Sequence, residues 1–396
     1  MSWATGTATD HADLLNKLDT FLTAQGMATN PTYTGTGNGI ISALIGGASS
    51  IAENITVAMT SSTAFTVTGS SSGSLGTGTV GTAFANSKVN FLITAGSTAF
   101  VSGDAWTFST APKWTSMRRS AGLEMIWQAP GDGGTSEILV GAKVFSNSTG
   151  DYYNWRLGGF TAFDAALAFE NQAGYIGGPG GQIHASPVTT LWNNPMPYWF
   201  IASGRRVIFI AKVSSVYVMG YLGFLSQYVS PAIFPYPLIV GGNLQWIGAE
   251  PAATSANWRW SYTGNEMQNP SHGCPGNINV ENSSGLQMRT PAGIWHSFER
   301  QNDSSSADPC GKIWPYMCAW GNWQTNLDGS YALLPIVLGD CYPTVPNIWG
   351  ELDGLAAITG FSNGSENTVT IGNAKYMVVQ NVFRNGQNDF AAVRLI

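Results

Sequence analysis

Apolar positions recur at helical spacing in only one stretch of this chain, residues 10–26. There Leu14, Leu15, Leu18, Phe21 and Leu22 fall at i, i+1, i+4, i+7 and i+8, which is one face of an amphipathic helix. Asp10 suits the N-cap, Asp13 adds negative charge near the positive helix end, and Gly26 suits the position just past the C-terminus. Elsewhere the pattern is that of strands. Between residues 27 and 110, the runs Ile55–Met59, Ala64–Thr68 and Val89–Ile93 alternate with Gly, Ser and Thr turns. The run 95–110 reads as a last hairpin, with Ser102, Gly103 and Asp104 at its turn.

Beyond Lys113, strands are expected at Glu124–Gln128, Glu137–Phe145, Tyr152–Leu157, Tyr198–Ala202, Val207–Val213, Leu238–Val240, Tyr331–Val337 and Tyr376–Asn381. Two of these flank Ser203, Gly204 and Arg205, which predicts a tight hairpin. An aromatic, proline-rich platform, Tyr217–Pro237, follows and is expected to be buried in the main domain or against a neighbouring subunit. The segment 262–312 reads as long loop. The resulting fold class is mainly β. An N-terminal amphipathic helix or docking segment (1–30) is followed by a small Gly/Ser/Thr-rich β-sandwich module (31–112). A larger antiparallel β-sandwich-like main domain with long loops (113–396) completes the chain.

Composition changes this picture in one respect. Hydrophobic residues make up 44% of the chain, enough for sizeable cores, but charged residues only 10%, against about a quarter in an average globular protein. Together with 15 Trp, so few charges favour surfaces that pack against other proteins. The net charge is −6, and the 17 Lys and Arg are scattered without the basic stripe that nucleic-acid binding needs. The N-terminus shows no basic start followed by an apolar run, and no apolar stretch approaches the about 20 residues of a membrane span. Cys274, Cys310, Cys318 and Cys341 form no C-x-x-C pair, and reduced thiols are expected.

Catalytic patterns occur but lack their contexts. Gly69–Gly73 satisfies G-x-S-x-G around Ser71, and Gly76–Gly81 satisfies G-x-G-x-x-G, yet no helix follows either one. His272, Cys274 and His296 do not follow a zinc-ligand spacing. Glu351 and Asp353 alternate along a strand-like run, as paired carboxylates of a glycan-degrading enzyme would, although acids beside glycine commonly serve turns. Trp314, Trp320 and Trp323 are candidate glycan contacts if exposed and core if buried. No catalytic residue, cofactor or metal is expected.

Several segments resemble virion structural proteins of tailed bacteriophages. They are Tyr152–Leu157 with Gly159–Thr161, Leu191–Pro197, Tyr198–Gly242, Gly350–Gly354, Gly360–Asn363, Ser365–Asn367, Val379–Arg384 and Asp389–Ala392. The resemblance covers roughly residues 113–396. It implies a β-rich particle component, of the tail or baseplate, with no enzyme activity, assembled in the host bacterial cytoplasm and located in the virion. Its implied partners are other virion proteins and further copies of itself. Leu14, Leu18, Phe21, Tyr217, Tyr221, Phe224, Tyr228, Phe234 and Tyr236 are the candidate interface residues. The alternative is a tail protein that binds a host surface glycan or, further off, degrades one.

Overall fold

The computed structural model describes residues 2–29, 31–120, 123–131, 138–149, 152–176, 187–228, 238–242, 244–245, 286–290, 293, 295–299, 311–314, 332–340, 347–372, 374–380 and 390–395. The protein is mainly β, built almost entirely from antiparallel ladders.

The chain opens with a strand, Ser2–Ala8, which the sequence reading missed, and then enters the helix His11–Ala24. Asp10 caps that helix: its Oδ1 accepts from the N–H groups of Ala12 and Asp13, both at 2.8 Å. Asp13 returns the bond, its Oδ2 accepting from Thr9 N at 2.8 Å. The stripe Leu14, Leu15, Leu18 and Leu22 is fully buried, each side chain contributing about 2 kcal/mol of burial. Gly26 does not act as a left-handed cap, since Gln25 leaves the helix in extended conformation. Its role is close approach, because a Cβ there would sit 2.4 Å from Ser50 Cβ.

The main body has two sheets. One runs in the order Thr115–Ser120, Glu124–Ala129, Ile138–Asn147, Tyr152–Phe160, Pro187–Leu191, Leu244–Gln245. The other has fourteen strands and begins Ser2–Ala8, Met196–Ala202, Arg206–Val213, Val216–Phe224, Leu238–Gly241. It continues through Leu286–Arg289, Trp295–Glu299, Gly311–Trp314, Leu334–Asp340, Asn347–Ile358, Phe390–Arg394, Ala374–Gln380 and Thr368–Ile371, and Ser226–Gln227 joins it off this path by pairing with Asn347–Ile358.

These sheets form layers, and the expected hairpin is the middle one. Met196–Ala202 and Arg206–Val213 pair from Tyr198↔Ala211 to Ala202↔Val207. Phe200, Ala202, Val207, Phe209, Ala211 and Val213 join a core with the helix leucines and with Trp127, Val140, Trp155 and Leu157 of the first sheet. The intervening Ile201, Ile208 and Ile210 join a second core with Ile336, Leu338, Leu352, Met377, Val379 and Val393. Burial on both faces accounts for the near-continuous apolar sequence of this hairpin. The fourteen-stranded sheet therefore doubles back, its first and last thirds enclosing one core. Aromatic platform residues Tyr217, Tyr221 and Phe224 lie on the strand Val216–Phe224, where Gly220 leaves room for the Phe209 ring opposite it.

Residues 27–111 form a separate sandwich. One sheet holds Met27–Ala28, Thr32–Thr34, Ala105–Ala111, Glu53–Met59, Ala64–Gly69 and Gly73–Thr79, and the other Ile40–Gly46, Val89–Thr94 and Phe84–Ala85. Ile55, Val57, Val67, Val89, Phe91, Ile93 and Trp106 fill the space between them. Two details differ from expectation. Gly73–Thr79, anticipated as loop, is a strand. The run 95–110 is a crossover, since Val89–Thr94 and Ala105–Ala111 belong to different sheets. Phe100, 3% exposed, draws that crossover into the core. The first 27 residues share a core with residues 114 onward, so the module is inserted between the helix and the rest of the main body.

Candidate assembly surface

The residues first singled out for contact divide sharply. Leu14, Leu18 and Phe21 pack inside the main body, as do Phe224 beside them and Tyr217 and Tyr221 on the opposite face of the middle layer. Their side chains are engaged within this chain and are not presented to a second one. Tyr221, fully buried, donates its hydroxyl to Phe224 O at 2.6 Å. Tyr217 donates to Glu366, which also accepts from Lys212 Nζ at 2.8 Å. Those two partners hold the Glu366 carboxyl below its ordinary value. Phe234 and Tyr236 lie outside the described residues.

Tyr228 differs. It is 53% exposed, its N–H donates to Trp349 O, and its hydroxyl donates to Glu351 Oε2 at 3.1 Å. Partial burial and then the Glu351 charge push its phenol above the ordinary value. Ile348, 61% exposed, precedes Trp349 on the same strand. An exposed aromatic ring, a carboxylate and an aliphatic side chain thus meet where Ser226–Gln227 pairs with Glu351 and Gly350. The sequence named Tyr228 and Glu351 separately. Their pairing depends on a ladder closed over more than 120 residues, which no local pattern signals.

The expected carboxylate pair is divided by its surroundings. Asp353 Oδ2 accepts from Arg206 Nε at 3.0 Å, and Arg206 is completely buried, its Nη1 also donating to Ile201 O. Asp353 is therefore the counter-charge of a cation enclosed in the layers. Glu351 faces Tyr228 instead.

Ser71 sits in the turn between Ala64–Gly69 and Gly73–Thr79, not at a strand-to-helix elbow. Its N–H and that of Ser72, with the Ser72 hydroxyl, donate to the buried carboxylate of Glu53. Burial pushes that carboxyl up, and these three donors outweigh it and hold it below its ordinary value. Gly76–Gly81 runs along the strand Gly73–Thr79 and its following turn. Asp104 is built alike: Thr36, Val101 and Gly37 donate their N–H groups to it and lower its pKa to about 2.

Several other charges are paired. Arg118 binds Glu124 at 2.6 Å and donates to the carbonyls of Asp164, Ala165 and Leu167. Glu170 accepts from Lys143 at 3.0 Å and from Arg156 at 2.6 Å. Asp19, fully buried, accepts from Trp127 Nε1 at 2.8 Å and pairs with Arg119 at 3.1 Å.

Among the described residues, no three His, Cys, Asp or Glu side chains gather as metal ligands, and no helix is long and apolar enough to cross a membrane. His272, Cys274, Trp320 and Trp323 lie outside the described residues. The backbones of Trp314 and His296 lie on the strands Gly311–Trp314 and Trp295–Glu299. His11, the one described histidine side chain, is 7% exposed, lies tilted against the Tyr153 ring with centroids 5.2 Å apart, and is pushed below its ordinary pKa by burial.

No family model and no curated protein matches the sequence. Among solved structures, two crystal structures of FlgL from Xanthomonas campestris align at 21% and 23% identity, each over 23% of this chain. The alignments span 33% and 30% of those chains, with TM-scores of 0.18 and 0.19. A similarity that low carries no argument about fold or function.

Proposed function

We propose that this chain is a structural component of a tailed-phage virion, of the tail or baseplate, acting by oligomerisation and by docking to other virion proteins. One observation carries the assembly part: several of the few charges are engaged inside the molecule while large apolar side chains remain outside. Asp19, Glu53, Asp104 and Arg206 are all buried, whereas Ile40, Val101, Leu123, Tyr228, Ile348 and Ile371 are each at least half exposed. Such a surface suits contact with protein, where interface cores are depleted in charge. The phage setting rests on the sequence resemblance over residues 113–396. No catalytic step and no cofactor belong to this reading. Mass spectrometry of gradient-purified virions tests it: the protein is expected in stoichiometric amount, and its absence from intact particles overturns the proposal.

A second reading, contact with a host surface glycan, is favoured by Tyr228, whose exposed ring and Glu351 partner offer a stacking plane beside a hydrogen-bond acceptor. Tyr228→Ala is then expected to slow adsorption to host cells by about tenfold, as one lost stacking contact of 1–1.5 kcal/mol would. Unchanged adsorption by fully assembled particles eliminates this reading.

A further inference from the structure

Sheet edges are sites where another chain can add a strand, and folded proteins blunt them with charges, prolines, bulges or very short strands. Nearly every edge described in this protein carries such a device. Thr115–Ser120 has Arg118 and Arg119 and a register break between Ser116 and Arg118. Gly73–Thr79 sits beside a bulge at Val67/Thr68, and Ile40–Gly46 has one between Ser42 and Ile45. Met27–Ala28, Phe84–Ala85 and Leu244–Gln245 have two residues each, Thr32–Thr34 has three and Thr368–Ile371 has four.

Ser2–Ala8 is the exception. It is seven residues long, uncharged and without proline, and it pairs with Met196–Ala202 in unbroken register from Ser2↔Ala202 to Ala8↔Met196. Ile40–Gly46 passes near it without forming a ladder. Among the described residues, no other strand pairs with its outer side. Trp3, Thr5 and Thr7 are exposed along one face.

We propose that the outer edge of Ser2–Ala8 pairs antiparallel with the same strand of a second copy, joining two fourteen-stranded sheets across a two-fold axis. The proposal deepens the assembly reading above and rests on it for its biological setting. A second copy is the occupant because the strand is self-complementary. Centred on Thr5, the pairing sets Thr5 against Thr5, Trp3 against Thr7 and Ala4 against Gly6, and it ends there because Ser2 and Ala8 are fully buried in their own chain. No like charges meet, threonine faces threonine, and the large indole lies opposite a small side chain. A two-fold contact of this kind is isologous and closes on itself.

Sedimentation analysis of the full chain reads the result. Wild type is expected to be a dimer at micromolar concentration. Thr5→Lys brings two cations together at the axis and is expected to raise the dimer dissociation constant by more than about tenfold. Thr5→Glu does the same, and a mixture of the two variants restores the dimer, which a folding defect would not do. Thr5→Cys supplies a test independent of those charges. Residues opposite each other across the axis have Cα atoms about 4.5–5.5 Å apart, within disulfide reach, so mild oxidation is expected to link two chains through residue 5. A monomeric wild type, or no link at residue 5 beyond that formed by the wild-type cysteines, overturns the pairing. A dimer missing from virions would overturn the phage reading alone, and a virion protein that is monomeric in solution would overturn the edge pairing alone.

Discussion

At the scale of single residues, this protein uses its scarce charges as internal fastenings. Asp104 is the clearest case, since three backbone N–H groups converge on one carboxylate where a loop crosses between sheets. Its pKa of about 2 in the folded chain lies below the 3.8 of a free aspartate. The stabilisation it provides is therefore complete above about pH 4 and disappears as the pH falls towards 2. Melting temperatures recorded from pH 7 to pH 2 are expected to fall steeply across that window in wild type and more shallowly in Asp104→Asn. Arg206 gives a second prediction. Its guanidinium is fully buried against Asp353, so Asp353→Asn leaves an enclosed cation short of its counter-charge. Asp353→Asn is expected to cost about 3 kcal/mol in chemical denaturation, the low end for a broken buried pair because the Asp353 side chain is 28% exposed. Glu351→Gln, which weakens only an exposed bond to Tyr228, is expected to change stability by less than about 1 kcal/mol. Equal losses from the two substitutions would contradict the division of roles between these acids.

Among the elements, the helix His11–Ala24 separates local from tertiary stabilisation. Asp10→Ala removes the cap and is expected to cost about 1 kcal/mol. Leu18→Ala opens a cavity in the main core and is expected to cost about 3 kcal/mol. Urea titrations that reversed this order would mean the helix is held by its ends and not by its buried face. This helix was legible in the sequence because one period of 3.6 and one cap residue define it. Strands such as Glu53–Met59, Ile138–Asn147 and Arg206–Val213 were legible too, from β-branched and aromatic runs between turn residues. Other strands escaped: the segment 262–312, read as loop, holds Leu286–Arg289 and Trp295–Glu299 and runs into Gly311–Trp314, and three further cases show why. Ser2–Ala8 alternates small and polar residues around one Trp, a weak apolar signal, and is a strand only because Met196–Ala202 pairs with it. Gly73–Thr79 has the composition of a loop, and its neighbour Ala64–Gly69 imposes the ladder. The opposite destinies of Ile208 and Phe209, adjacent residues in different cores, follow from layering that no local window contains.

Taken as a whole, the molecule is an inserted sandwich joined to a layered main body, with separate cores for each. Phe91→Ala is therefore expected to accelerate hydrogen exchange within residues 28–110 while leaving Trp127, Trp155 and Phe209 as protected as before. Equal loss of protection in both regions would show that they unfold as one unit.

The doubled-back sheet has a consequence for how the protein is made. Ile201, Ile208 and Ile210 leave the ribosome long before Leu352, Met377 and Val393, the residues that cover them. At about 5–20 residues per second, translation from residue 210 to residue 393 leaves that isoleucine face bare for roughly 10–40 s. Synthesis therefore passes through a state with half of the middle layer uncovered. Nascent chains arrested between residues 224 and 334 are the forms expected to recruit chaperones and to aggregate.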